Sequence, residues 1–138
     1  MTQVSPKARR KARVFALQAL YQWVYTQEDI HEVASQFLIT NQHHSSTDWT
    51  YFSELLRGVA TELAALDVII TAAADRSLAE ISPIELVILR LAVFEMKHLK
   101  LHPNIVMNEY IDLAHEYGTE EGYRYINGVL DKLAQTVS

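Results

Sequence analysis

Between Pro6 and Gly58 the chain contains neither glycine nor proline. A run of that length narrows what the segment can fold into. It lacks the residues that make tight turns cheap, and it lacks those that break helices. Over the whole sequence glycine and proline number only four and three, and no stretch alternates apolar and polar residues between turn signals. Helix punctuation recurs instead. Ser5 precedes Pro6, the pairing of a capping side chain with a first helical residue whose φ is already fixed. Asp29 and Glu32 have the spacing of a capping box at the head of an apolar-periodic segment (Ile30, Val33, Ala34, Phe37, Leu38) that runs to about Thr40. Asn41 to Thr47 is polar and reads as a loop. From Asp48 a single long helical pattern continues through Tyr51, Phe52, Leu55, Leu56, Val59, Leu63, Leu66, Ile69 and Ile70 to about Ala74, with Gly58 as a kink or close-packing point. Ser77 with Glu80 caps a short turn.

Ser82-Pro83-Ile84-Glu85 is the clearest helix start, combining a cap, a first-position proline and a capping-box acid. The helix it opens, ELVILRLAVFEMKHL, is apolar around most of its circumference, so it should be the most buried, and it should end near His98 with Lys97 and Lys100 at its carboxyl end. Pro103 begins the next helix, carrying Ile105, Val106, Tyr110, Ile111 and Leu113; Gly118 is placed to end it in a left-handed conformation, and Thr119 to cap the last helix ahead of Glu120 and Glu121. The expectation is an all-α, compact bundle of about six to seven helices, one domain over 1–138, with no internal repeat.

Charge divides the same chain unevenly. Five of the twelve basic residues, Lys7, Arg9, Arg10, Lys11 and Arg13, stand in the stretch from Ser5 to Thr26, and the first of the seventeen acidic residues is Glu28. Projected at about 100° per residue, Ala8, Ala12, Phe15, Ala16, Ala19, Leu20 and Trp23 form an apolar stripe, while Lys7, Arg10, Lys11, Gln18, Tyr21 and Tyr25 line the opposite face and Arg9 and Arg13 fall at the border. Cations in a first helical turn oppose the helix dipole, so helix stability does not explain them. A line of cations and flat rings is what phosphates and unstacked bases require. A solvated face, an anionic membrane or an acidic protein partner are the other readings that charge alone leaves open.

Several classes are excluded by the residues themselves. A chain of 138 residues, nearly half of them apolar, can bury a core without staples, and with no cysteine it has no disulfides, thiolate metal sites or Cys nucleophile, in keeping with a reducing cytoplasm. Gln18 and Gln22 interrupt the apolar run after the basic head and no small-x-small cleavage site follows, so the segment reads as mature sequence rather than a secretory signal. No window approaches about twenty uncharged apolar residues, so no membrane helix is expected. Six histidines and many carboxylates raise the alternative of a metal or hydrolytic enzyme. His43-His44 has no third ligand nearby, His98 and His102 span a helix end, His115 and Glu116 face different directions, and no His-Glu-x-x-His, phosphate-cradling glycine loop or nucleophile elbow occurs. No enzymatic activity and no cofactor are expected. A helical adaptor that binds protein alone through the basic face is the remaining alternative.

The last helix again has two faces. Tyr123, Ile126, Val129, Leu130 and Leu133 make a buried stripe, and Glu121, Arg124, Tyr125, Gly128 and Lys132 line the other side. Read by itself, Tyr125 is a half-buried ring and Gly128 a close helix contact. RRKARVFALQALYQW near the start, SPIELVILRLAVFEM, NEYIDLAHEYG and above all the closing YINGVLDKLA resemble, in order and spacing over essentially the whole chain, the NusB family of bacterial transcription antitermination factors. The resemblance implies an all-helical fold of two small helical subdomains packed around the N-terminal helix. It also implies binding of the boxA segment of nascent RNA, notably from ribosomal RNA operons, as a heterodimer with NusE, a small-subunit ribosomal protein, in a complex with other Nus factors on RNA polymerase.

By position, the family's arginine-rich motif falls on Lys7, Arg9, Arg10, Lys11 and Arg13, its RNA-contacting tyrosine on Tyr21, and its C-terminal RNA surface on Glu121, Tyr125, Asn127 and Gly128. Arg124 and Lys132 share that face of the last helix. Two positions depart from the family's habit. Tyr125 stands where Phe is frequent, which preserves stacking, and Glu121 where the acid is shorter. Two lysines in the basic run keep charge but lose bidentate phosphate geometry. Glu85 matches a family acid at the NusE interface, and the capping-box carboxylate is its equal alternative. Free family members self-associate through the RNA surface, which makes a homodimer a further expectation. The same fold also occurs as an RNA-binding module of ribosomal RNA cytosine methyltransferases; the present sequence holds no cofactor domain.

Overall fold

The computed structural model describes residues 5–137 and contains α-helices with one short 3₁₀ turn; among the described residues there is no strand. Two compact units divide at residue 62. The first holds α1 (Pro6–Thr26), α2 (Ile30–Asn41) and α3 (Trp49–Thr61). Ser5 caps α1 by accepting the Ala8 N–H at 3.3 Å, and the helix closes on Gln27, left-handed at φ 54°, whose N–H reaches the Trp23 carbonyl. Alanines 12, 16 and 19 are fully buried. Their small size lets α1 approach α3 and α2 closely, with Leu17 and Leu20 filling between. From α3, Tyr51, Phe52, Leu55, Leu56 and Val59 complete this core, and Phe15, Trp49, Phe52 and Phe37 make a chain of ring contacts between 5.0 and 6.1 Å. The polar loop before α3 is tied back to α1, because the Asp48 N–H donates to the Ala8 carbonyl at 3.1 Å. Asp29 caps α2 by accepting from the His31 N–H at 2.8 Å, the hydrogen bond of an Asx turn rather than the box with Glu32 that the spacing suggested.

The second unit contains α4 (Leu63–Ala73), the 3₁₀ turn Leu78–Glu80, α5 (Pro83–Lys97), α6 (Pro103–Tyr117) and α7 (Glu120–Val137). α5 is the most buried helix of the chain, packed against α4, α6 and α7, as its apolar circumference requires. Ser82 caps it by accepting from the Glu85 N–H, with Pro83 in the first position as expected, but only this half of the expected capping box forms, and the Glu85 carboxylate lies against Gly122 instead. Inside it Glu95 is fully buried and accepts a hydrogen bond from the Tyr110 hydroxyl of α6, itself fully buried. Arg90 grips Asp67 of α4 through two hydrogen bonds of 2.8 and 3.0 Å.

Two expectations of the sequence are corrected here. The long helix from Asp48 is two helices, broken at Glu62 (φ −98°, ψ 14°), with Gly58 running through α3 unbroken. The apolar stripe of α3 packs on α1 and α2 and that of α4 on α5 and α7, so two separate cores compete with local propensity to continue. Gly118 does end α6, but in an extended conformation (φ −100°, ψ −174°). What demands glycine is space: a Cβ there would lie 2.8 Å from the Ala114 carbonyl oxygen, the atom that accepts the Gly118 N–H. Tyr123, expected in the buried stripe of α7, is half-buried.

Candidate nucleic-acid interface

Each unit carries its own candidate surface. On α1, Lys7, Arg10, Lys11 and Gln18 are exposed together with Tyr21 (38%) and Tyr25 (62%), so the line drawn by helical projection exists as a surface. The Lys11 ammonium donates to the Ser46 hydroxyl of the loop between α2 and α3. Tyr21 and Tyr25 meet edge to face at 5.2 Å, with their hydroxyls 3.4 Å apart. That hydroxyl contact, with some desolvation, pushes the Tyr25 phenol above its ordinary range.

Arg9 and Arg13 behave differently from the other three cations. Arg13 is 2% exposed, and both guanidinium groups turn to the buried ring of Tyr51, 4.5 Å away for Arg9 and 5.6 Å for Arg13. Long aliphatic stems let a border arginine enter an aromatic core without losing a partner for its charge. Arg13 is therefore closed to an outside phosphate and buttresses the helix. Arg9 is half-exposed at the edge of a pocket of about 490 Å³ floored by Thr47 and Tyr51.

On α7, Glu121, Arg124, Asn127, Gly128 and Lys132 are all exposed. Thr119 caps the helix by accepting the Gly122 N–H at 2.9 Å. Gly128 is not a close contact, since nothing lies within 4 Å of where its Cβ would be. Arg124 lies 3.7 Å from Glu120 and Lys132 3.7 Å from Asp75. Exposed pairs of this kind are worth about 0–1 kcal/mol, so a phosphate can replace either acid at small cost. Tyr125 is half-buried, its hydroxyl enclosed without a protein partner, and that burial pushes the phenol upward. Arg76 lies over its ring at 4.1 Å.

Glu85 is only 8% exposed and reaches the wall of a second pocket, of about 230 Å³, which Arg76, Gly122 and Tyr125 also line. A Cβ on Gly122 would fall 2.0 Å from the Glu85 carboxylate oxygen, so this glycine is where the acid finds room. Glu80, on the pocket rim, is held below the usual carboxylate range, first by the Ser77 N–H and then by the Ser77 hydroxyl. Sequence reasoning missed Arg76, Tyr51 and Gly122. Each matters through a tertiary contact: the helical period marks Tyr51 only as a core residue, and no pattern marks Arg76 or Gly122. Among the described residues no helix is long and apolar enough to cross a membrane, and no cluster of three or more His, Cys, Asp or Glu could hold a metal ion.

Fold and surface together define a small all-α protein with a cationic, tyrosine-bearing face on its first helix. The chain belongs to the NusB family, whose profile matches residues 10–135. It is 46% identical over 132 residues to the transcription antitermination protein NusB of Alcanivorax borkumensis, covering 95% of this chain and 87% of that one. It is 41% identical over 138 residues to the NusB of Legionella pneumophila, covering 99% and 93%. The solved NusB of T. maritima superimposes with a TM-score of 0.83 at 27% identity, over 96% of this chain and 93% of that one. A second solved chain, from a complex of antitermination factors NusB and NusE with dsRNA, gives 0.83 at 25% identity over 96% and 99%. The family is one of transcription antitermination factors, not of enzymes.

Proposed function

We propose that this protein is a cytoplasmic transcription antitermination factor that binds the boxA segment of nascent RNA together with NusE. The carrying observation is the exposed face of α1, where Lys7, Arg10 and Lys11 stand beside Tyr21 and Tyr25 on a chain whose remainder is acidic. Charge there draws in the RNA backbone, and the rings accept unstacked bases. Lys7, Arg9, Arg10, Lys11 and Tyr21 form the first contact surface and Glu121, Arg124, Tyr125, Asn127, Gly128 and Lys132 the second, with Arg13 supporting the first from below. NusE is supported as a partner by the solved NusB–NusE–dsRNA relative. Glu85, deep beside Gly122, would reach a partner only through the pocket mouth. Other Nus factors and RNA polymerase complete the assembly. A homodimer of the free protein would compete with RNA for the same surface.

Arg10→Glu tests the α1 face. It is expected to weaken boxA binding by lost attraction and added repulsion, to flatten the dependence of log K on log salt by about one unit, and to leave the helical circular-dichroism spectrum unchanged. A folded variant with undiminished affinity would contradict the assignment of this face.

A further inference from the structure

Arg76 lies in the stretch between α4 and the 3₁₀ turn, and its side chain is exposed. Neither charge patterning nor the family motifs single it out. Its guanidinium carbon is 4.1 Å from the centre of the Tyr125 ring. The ring beneath is held by the second unit, half-buried with its hydroxyl enclosed. A base approaching Tyr125 from that side meets the guanidinium, not the phenol. Resting on the RNA-binding reading above, we propose that Arg76 is an RNA-contacting residue and that, stacked on Tyr125, it forms the platform on which one unpaired base of the RNA lies.

The chemistry of the surroundings favours this use. Guanidinium is planar and weakly hydrated, so it can stack on a ring with one face and on a base with the other; an ammonium cannot. The acids nearest in sequence have other partners as well, although the Arg76 charge also acts on Glu80. Glu80 accepts from the Ser77 N–H at 3.2 Å and from its hydroxyl at 3.0 Å, and Asp75 lies 3.7 Å from Lys132. Glu85 and Glu121 line the pocket beside the stack. Carboxylates there repel a phosphate but accept the amino and ring N–H groups of a base, so the moiety at this point is a base and not the backbone. In the first unit the guanidinium of the half-exposed Arg9 likewise lies 4.5 Å from the centre of the buried Tyr51 ring.

The test uses the full chain and a boxA RNA in which each base in turn is replaced by 2-aminopurine, whose fluorescence is quenched by stacking. Wild type is expected to quench one or more positions that Arg76→Ala leaves bright, with affinity lowered about tenfold and the salt dependence nearly unchanged. Arg76→Lys keeps the charge and loses the plane, so it should behave like Arg76→Ala. Rescue by lysine would show a charge effect and overturn the platform. Wild-type affinity and quenching in both Arg76 variants, with Arg10→Glu still impaired, would overturn this inference and leave the RNA-binding reading standing. Failure of the folded wild type to bind any RNA would overturn both.

Discussion

Phe52→Ala is expected to lower the unfolding free energy by about 3–5 kcal/mol, the range for removing a large aromatic side chain from a packed core. Phe52 is fully buried on α3, edge-on to Trp49 at 5.1 Å and stacked near Phe37 at 6.1 Å. It therefore joins α2 to α3, and through Trp49 it supports Phe15 on α1. The flanking rings are too large and too constrained to collapse into the space it would leave, so the loss should combine lost burial with a residual cavity. Because the basic face belongs to α1, the same variant should bind RNA more weakly at temperatures where the first unit begins to melt. Urea denaturation followed by circular dichroism measures the first effect directly. A loss under about 1 kcal/mol would show that this core is not packed as described.

The second large effect lies in the other unit. Arg90 of α5 and Asp67 of α4 form a bidentate pair, with side chains only 11% and 17% exposed. Removing one partner strands the other charge in a poorly solvated site, and Arg90→Ala should cost about 2–4 kcal/mol, just below the range for a fully buried pair because some water still reaches both groups. Arg90→Met combined with Asp67→Leu should recover most of that loss. An apolar pair of similar volume forgoes the Coulomb attraction but avoids the desolvation penalty. Denaturation of Arg90→Met, of Asp67→Leu and of the double variant closes a mutant cycle, and simple additivity would contradict a direct interaction between them.

The fold was legible where local chemistry sets it. Ser5-Pro6 and Ser82-Pro83 mark the starts of α1 and α5 because a side-chain cap and a preset φ act within one turn, and the apolar circumference of α5 announces its burial without knowledge of its neighbours. Thr119 was readable for the same reason. The break at Glu62 was not, since no glycine, proline or cap marks it and the competition between two cores decides it. Gly118 was placed correctly as a terminator but for the wrong reason. Handedness can be guessed from residue type, whereas a 2.8 Å approach to a carbonyl oxygen cannot.

The candidate site divides along the same line. The exposed cations and tyrosines of α1 follow from helical period alone. Arg13 sits at the border of that projection, and its inward turn depends on Tyr51, which is 38 residues away in sequence. Gly122 looks like one more small residue on a helix until Glu85 is found against it. Arg76 carries no pattern at all; its meaning comes from the ring below it. Resemblance over the whole chain supplied the family, and the folded structure separates the exposed Lys7, Arg10 and Lys11 from Arg9 and Arg13, which turn to Tyr51.

The most direct test of the account is a titration of this protein, alone and with NusE, against single-stranded boxA RNA, a scrambled RNA of equal length and a duplex of the boxA sequence, at two salt concentrations. The account predicts selective binding of single-stranded boxA that tightens when NusE is present and weakens steeply with salt. Equal, weak and salt-labile binding to all three RNAs, unaffected by NusE, would contradict it and reduce the α1 face to an electrostatic patch.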